Sequence, residues 1–354
     1  MKVVSFSELE PSWNWLAHRF RGHSALKWTH VSTQTPMPRW RLPGKHTWQR
    51  LAATWNCRAS LQSGSSVLVS HGPKMTMYAA LANAGRINRS PHLAFSFNYT
   101  TLPHGPLRRV QRHAFRFVDR FVVFSTMERS LYADYFGIDP HRIEMIHWAV
   151  RPPQMPPGEP ALIPGDYICA VGSQGRDYGA LVEAIKGLPG IRLVIVATKE
   201  AMRGVSNLPS NVEVRASIPL RDATNIVANC KFMVLPLQGE HVPCGHVTLV
   251  AAMHLSKAII ATASSGIADY IHDGVNGRLA AASDHVKLGA LIAELLDSPE
   301  ECRRLGEAGQ RFAQQHCSED NAVDFFLRVL PPLLAGRHYR APVETLSPST
   351  GFGV

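Results

Sequence analysis

Several common features are missing from these 354 residues. The six cysteines, at positions 57, 169, 230, 244, 302 and 317, are scattered without a CxxC pair. That argues against a disulfide framework and for a reducing, cytoplasmic setting. No run approaches the ~18 apolar residues of a membrane span, and the opening MKVVSFSELEPSW has no apolar core of signal-peptide length. The expectation is a soluble cytoplasmic protein, at most peripheral on the inner membrane face. P-loop phosphoryl transfer is excluded, because no GxxxxGK[ST] stretch occurs. No GxGxxG is followed by an acidic residue about 20 positions on, which disfavours dinucleotide redox chemistry. The GxSxG elbow of many hydrolases is absent too.

What is present reads as globular, with 45% apolar and 18% charged residues. The length suits two domains of roughly 150 residues. Six prolines in RPPQMPPGEPALIPG (151–165) punctuate the chain and read as a linker. It separates a first domain, 1–150, from a second, 166–335, leaving 336–354 as a polar, proline-bearing tail expected to be disordered. In the first domain SSVLVSHG (65–72), PHLAFSFN (91–98), DRFVVFS (119–125) and RIEMIHW (142–148) read as strands. The segments KMTMYAALANAG (74–85) and MERSLYADYFG (127–137) between them read as helices. The second domain alternates more cleanly. DYICAVG, IRLVIVAT, NVEVRAS, KFMVLPL and KAIIAT are strands, and 177–188, 221–230 and 246–256 are helices. A last helix, 318–334, starts on a Ser cap. Strands alternating with helices predict α/β architecture, with parallel, doubly wound Rossmann-like sheets and ligands at the carboxyl ends of the strands.

Charge is unevenly divided. Residues 1–160 hold 20 Lys/Arg against 8 Asp/Glu, whereas residues 161–354 hold 17 against 19. The first half therefore suits an anionic partner. The densest stretch is RRVQRHAFRFVDRF (108–121), carrying Arg108, Arg109, Arg112, Arg116 and Arg120. At helical spacing the last four share one flank, while Val110, Phe117, Val118 and Phe121 can pack inward. Such a flank is either simply solvated or directed at an anionic membrane or acceptor; nucleic acid is not expected.

Two α/β domains on a short linker leave a cleft between them. In the second domain, Ser173 and Arg176 follow the first strand in GSQGRDY, and Lys199 follows IRLVIVAT. A helix opens after Gly245, so the free N–H groups of His246, Val247 and Thr248 and the positive dipole end serve an anion. Cations and a helix N-terminus at one place suit a diphosphate, which Arg176 can hold bidentately. In the first domain His71 and Asn98 end successive strands. His71 either caps the next helix or contacts an acceptor, and Asn98 can hydrogen-bond a hydroxyl but not act as a base. His241, Cys244 and His246 in EHVPCGH lack an evident fourth ligand, and no metal is expected.

These elements resemble the nucleotide-sugar domain of glycosyltransferase family 4, retaining enzymes of the GT-B fold. The likeness is carried by AVGSQGRDYGALVEAI (170–185), RLVIVATKE (192–200), FMVLPL (232–237), GHVTLVAAMHLSKAIIAT (245–262) and SSGIADYIHDGVNGRLA (264–279), and it spans roughly 117–330. It implies two Rossmann-like domains facing across the cleft, with the final helix packing back on the first domain. It also implies transfer of a sugar from a nucleoside diphosphate to a glycan or lipid-linked acceptor, with no further cofactor. The family's diphosphate lysine maps to Arg176 and its arginine to Ser173, with Lys199 a substitute cation. Of its two glutamates, the one that contacts the donor sugar has Glu240 as the candidate here. The one that binds ribose falls on Ala251, 11 positions later rather than 8. A nucleotide-sugar epimerase of the same fold, or a non-catalytic nucleotide- or glycan-binding protein, are the competing readings.

Overall fold

The computed structural model describes residues 1–8, 15–23, 26–34, 45–61, 65–156, 158–241 and 243–336. The tail expected to be disordered lies, beyond Gly336, outside the described residues. The chain divides into two compact units.

The first unit comprises Met1–Val123, Arg129–Met145 and the chain from Phe326 on. Its elements are β1 (Lys2–Ser7), α1 (Trp15–Arg19), β2 (Lys27–Ser32), α2 (Lys45–Ser60), β3 (Ser66–His71), α3 (Pro73–Ala84), β4 (His92–Phe95), α4 (Gly105–Ala114), β5 (Arg120–Val123), most of α5 (Thr126–Phe136) and β6 (Ile143–Met145). All strands are parallel, in the order β2-β1-β3-β4-β5-β6. The order reverses between β1 and β3, where a ligand is expected at the carboxyl ends. Val67, Leu68 and Val69 on β3 are wholly buried, because helices cover both faces of a parallel sheet.

The 108–121 stretch is not one helix. α4 ends at Ala114, a 3-10 turn covers Phe115–Phe117, and β5 begins at Arg120. The tight turn breaks the 3.6-residue period, so the arginines separate. Arg120 is buried on its strand and donates to the His141 carbonyl at 2.6 Å. Arg108 lies over the Tyr135 ring and donates to the Tyr135 carbonyl. Arg109, Arg112 and Arg116 remain exposed, as does Val110, which was expected to pack inward.

The second unit comprises Phe124–Glu128 and Ile146–Phe325. Its strands are β7 (Ile168–Val171), β8 (Leu193–Ala197), β9 (Val212–Ala216), β10 (Met233–Leu235), β11 (Ile259–Thr262) and β12 (Arg278–Ala280). Its helices are α6 (Tyr178–Lys186), α7 (Leu220–Asn229), α8 (His246–His254), α9 (His285–Asp297), α10 (Pro299–His316) and most of α11 (Glu319–Leu334). The parallel order β12-β11-β10-β7-β8-β9 is the dinucleotide-fold arrangement, with its switch point between β7 and β10.

Two expectations about boundaries change. The described residues of the 151–165 segment form no helix or strand, but the segment is not a free tether. Asn225 of α7 accepts from Leu162 N and donates to the Pro160 carbonyl, Glu159 pairs with Arg221, and Ile163 is buried in the second unit's core. The last helix starts as expected, with Ser318 Oγ accepting from Asn321 N, yet it changes unit partway along. From Phe326 on it belongs to the first unit, where the Phe326 ring meets Phe20, Trp28 and Phe95 and where Arg328 pairs with Glu144.

In the second unit, α10 passes very close to the turn after α8. A Cβ on Gly306 would stand 2.2 Å from the Ser256 carbonyl oxygen and 3.2 Å from Ala258 N, both backbone atoms. Gly306→Ala should therefore destabilise the second unit by about 1–3 kcal/mol. A thermal melt checks this, and an unchanged midpoint would contradict so close an approach.

Candidate functional site

The switch point of the second sheet receives two loops, one after β7 and one after β10. The first, Gly172 to Asp177, is pinned at several points. Gly172 N donates to the Val196 carbonyl, Tyr178 Oη to the Gly172 carbonyl at 2.5 Å, and Gln238 N to the Gly175 carbonyl. Arg176 forms an isolated β-bridge with Leu237 of the second loop. Asp177 caps α6 by accepting from Ala180 N.

The Arg176 side chain turns inward; the residue is only 6% exposed. Its Nη1 donates to the Gln174 carbonyl at 2.8 Å, and Nε and Nη2 approach the Val171 carbonyl at 3.4 Å. Nη1 also lies 3.7 Å from Cys244 Sγ, and Nη2 lies 3.4 Å from Thr248 Oγ1. Among the described residues no carboxylate stands within ion-pair distance of it. A buried guanidinium without a carboxylate is an electrostatic deficit that an anion would fill. The local backbone accommodates this. Gly172 has φ +122°, and a Cβ there would stand 2.4 Å from Arg176 Nη2.

α8 opens where expected. Gly245, at φ +99°, is its cap; no side chain caps the helix and no acidic residue lies in its first turn. A Cβ on Gly245 would press on Leu235 and Leu237 at 3.3 and 3.4 Å. The helix thus starts directly above the end of β10. The amides of His246, Val247 and Thr248 have no intrahelical acceptor, and the positive dipole end adds to the guanidinium charge. Val247 is exposed, whereas His246 is buried and bonds the Gly266 carbonyl through Nε2 at 2.7 Å. Burial lowers the His246 pKa to about 4, so near neutrality the ring is an uncharged donor.

Arg176, Gly245 and Thr248 are therefore brought together. Other expected residues are placed differently. The Ser173 hydroxyl accepts from Thr198 N at 2.9 Å, tying the loop after β7 to the end of β8. Lys199 is exposed just past β8. Glu240 is exposed on its loop, which is held through its carbonyl by Ser265 N and Oγ. His241, Cys244 and His246 do not converge. His241 Nδ1 faces Ser265 Oγ, Cys244 Sγ donates to the Gln174 carbonyl, and His246 faces Gly266. No group of three or more potential metal ligands occurs among the described residues. Two contributors escaped sequence reasoning, Gly172 as the space for the guanidinium and Cys244 as its neighbour. The glycine directly after a buried strand was the available signal for the first; nothing local marks the second.

In the first unit, His71 ends β3 at that sheet's switch point. Its Nε2 lies 3.0 Å from Ser5 Oγ, which is also 3.3 Å from His30 Nδ1. Burial, then the nearby His30, lowers His71 to about 3, so it is a neutral hydrogen-bonding group. It does not cap α3, whose cap is Gly72 with no side-chain bond. Asn98 lies three residues beyond the end of β4, after Ser96 turns the chain at φ +53°. It is thus in the loop rather than on the strand.

Residues 178–312 match the family described as Glycosyl transferases group 1. A curated relative, an uncharacterized glycosyltransferase of Methanocaldococcus jannaschii, is 30% identical over 111 residues, 31% of each chain. The match thus spans about a third of that relative's length. Among solved structures, the sucrose-phosphate synthase of Thermosynechococcus elongatus superposes with TM-score 0.72 at 13% identity, covering 95% of this chain and 100% of that one. The Anabaena protein HepE in complex with UDP gives 0.69 at 13% identity, over 93% and 99%. The chain accordingly has the GT-B fold, and its second unit carries a segment matching the glycosyl transferases group 1 family.

Proposed function

We propose that this protein is a glycosyltransferase that moves a sugar from a nucleoside diphosphate to a glycan or lipid-linked acceptor, with retention of anomeric configuration. The observation that carries the reading is the buried Arg176 guanidinium, free of carboxylates among the described residues, set against the uncapped start of α8. When the glycosidic bond breaks, negative charge develops on the departing diphosphate. Donors already aimed at that charge, in a site where they need not reorganise, lower the barrier. The leaving phosphate oxygen takes the acceptor's hydroxyl proton, so no protein base is required. Glu240 is assigned to the donor sugar, Lys199 and Ser173 to the diphosphate side, and His71 and Asn98 to the acceptor. The bound UDP of the Anabaena neighbour supports the ligand class. The basic first unit favours an anionic acceptor or membrane surface.

Thermal shift across nucleoside diphosphates tests this directly. Stabilisation by at least one of them is expected, and none by any would overturn the reading. Ala251 lies on α8, partly buried, and the family resemblance gives its position to the ribose carboxylate. Ala251→Glu should raise ribonucleoside diphosphate affinity by about tenfold or more, since a hydrogen bond to a charged group contributes roughly 1.5–3 kcal/mol. Titration calorimetry reads it. A non-catalytic nucleotide-binding role is the second reading, favoured by that alanine. Neither transfer nor donor hydrolysis with any sugar nucleotide the protein binds would establish it.

A further inference from the structure

The outward face of α2 is the reverse of an ordinary surface helix. Its inner side packs Ala53 and Cys57 against Val4, Phe6 and Leu68 of the sheet. Its outer side carries Trp48, Leu51 and Trp55, which are 51%, 45% and 71% exposed. Spacings of three and four residues place them in one stripe. Among the α2 residues whose exposure is described, the other exposed positions are Thr47, Ala52, Asn56 and Ala59, none of them charged. These are the two exposed tryptophans among the described residues. Arg86 donates to the Arg58 and Leu61 carbonyls at the end of α2, and its chain neighbour Ile87 is fully exposed. A contiguous apolar surface of this kind marks an interaction site.

The charge on the same face identifies the partner. α2, α3 and α4 contain no Asp or Glu, Lys74, Arg109 and Arg112 are exposed, and Arg50 of α2 is paired with Glu8. The helices α2, α3 and α4 follow crossovers running the same way across the sheet, so right-handed connection puts them on one face. On that face α4 exposes Leu107 and Val110 beside Arg109 and Arg112. A cationic layer bearing protruding tryptophans is complementary to a leaflet with anionic headgroups above an apolar interior. Tryptophan favours that boundary, with an apolar ring system and a polar N–H.

We propose that α2 docks the protein on a bilayer containing anionic lipid, with Trp48, Leu51 and Trp55 entering the headgroup–acyl boundary and the exposed Lys74, Arg109 and Arg112 of the same sheet face neutralising headgroups. This rests on and deepens the membrane side of the proposed function, and it stands whether or not the second unit turns over sugar nucleotides.

Flotation of the full chain with phosphatidylcholine vesicles, with and without phosphatidylglycerol, tests it. The protein should float with the anionic vesicles, less so at high salt, and with a blue shift of tryptophan emission. Trp48→Ala with Trp55→Ala should lower the partition coefficient by about tenfold or more, at an unchanged melting temperature. Leu51→Glu, a single exposed change, should act in the same direction. The proposal is overturned if the wild-type chain stays with the soluble fraction, or if the variants float equally well. It is also overturned if the substitutions instead convert a dimer to a monomer in sedimentation, which would make the stripe a contact between two copies.

Discussion

Arg176→Ala should slow the proposed sugar transfer by about two to three orders of magnitude, the loss typical when one preorganised donor to a developing negative charge is removed. Initial rates with the donor identified by thermal shift measure it. The reasoning starts from the wild-type geometry. The guanidinium touches two backbone carbonyls, a thiol and the Thr248 hydroxyl, and among the described residues no carboxylate. Its charge is thus available to a ligand rather than spent within the protein. Arg176→Lys keeps the charge but not the planar fork, and should retain part of the activity. Arg109→Ala, which removes an exposed arginine of α4, should leave the rate with a soluble acceptor unchanged. Full activity of Arg176→Ala would remove the proposed means of ejecting the nucleotide.

Gly172→Ala should have a comparable effect without replacing a charged residue. The added methyl would stand 2.4 Å from Nη2 and 2.9 Å from Nε and Cζ of Arg176, on a backbone held at φ +122°. The guanidinium must leave, and the backbone strain itself costs about 1–3 kcal/mol. The expected result is a fall of about a hundredfold in nucleoside diphosphate affinity, because a bond to a charged group is lost and its donor misplaced. A lowered melting temperature should accompany it. Combining Gly172→Ala with Arg176→Ala should add little further loss of affinity, since both act on one group. Additive losses in calorimetry would show that Gly172 matters for another reason.

The second sheet was legible because its strands are continuous apolar runs. LVIVA of β8 and ICAV of β7 carry no polar side chain, as parallel strands buried on both faces require. The start of α8 was legible from one glycine followed by an apolar helix, and Gly245 does adopt the left-handed conformation. The first unit was harder to read. In β2, KWTHVS is only partly buried and sets Thr29 and His30 side by side, which breaks the alternation that marks a half-buried strand. The arginine stretch misled for a physical reason. A spacing rule presumes one continuous helix, and the Phe115–Phe117 turn interrupts it, sending Arg120 into the core. The proline segment misled differently. Prolines forbid helix there, but they do not prevent the chain from packing, and Asn225 holds it.

By itself, the order of residues determined which segments become strands and helices in the second unit, and that a cation and an uncapped helix start follow its first and fourth strands. Hydrophobic period and glycine placement are local properties, and they act wherever the chain goes. Only the tertiary structure decided that these two features meet, because strand order brings β7 and β10 side by side although some 60 residues separate them. It also decided that Arg176 points inward, since that depends on the empty space beside Gly172 and on Thr248 and Cys244 arriving from another loop. Contacts between distant segments are set by the packing of whole layers, which no single stretch encodes.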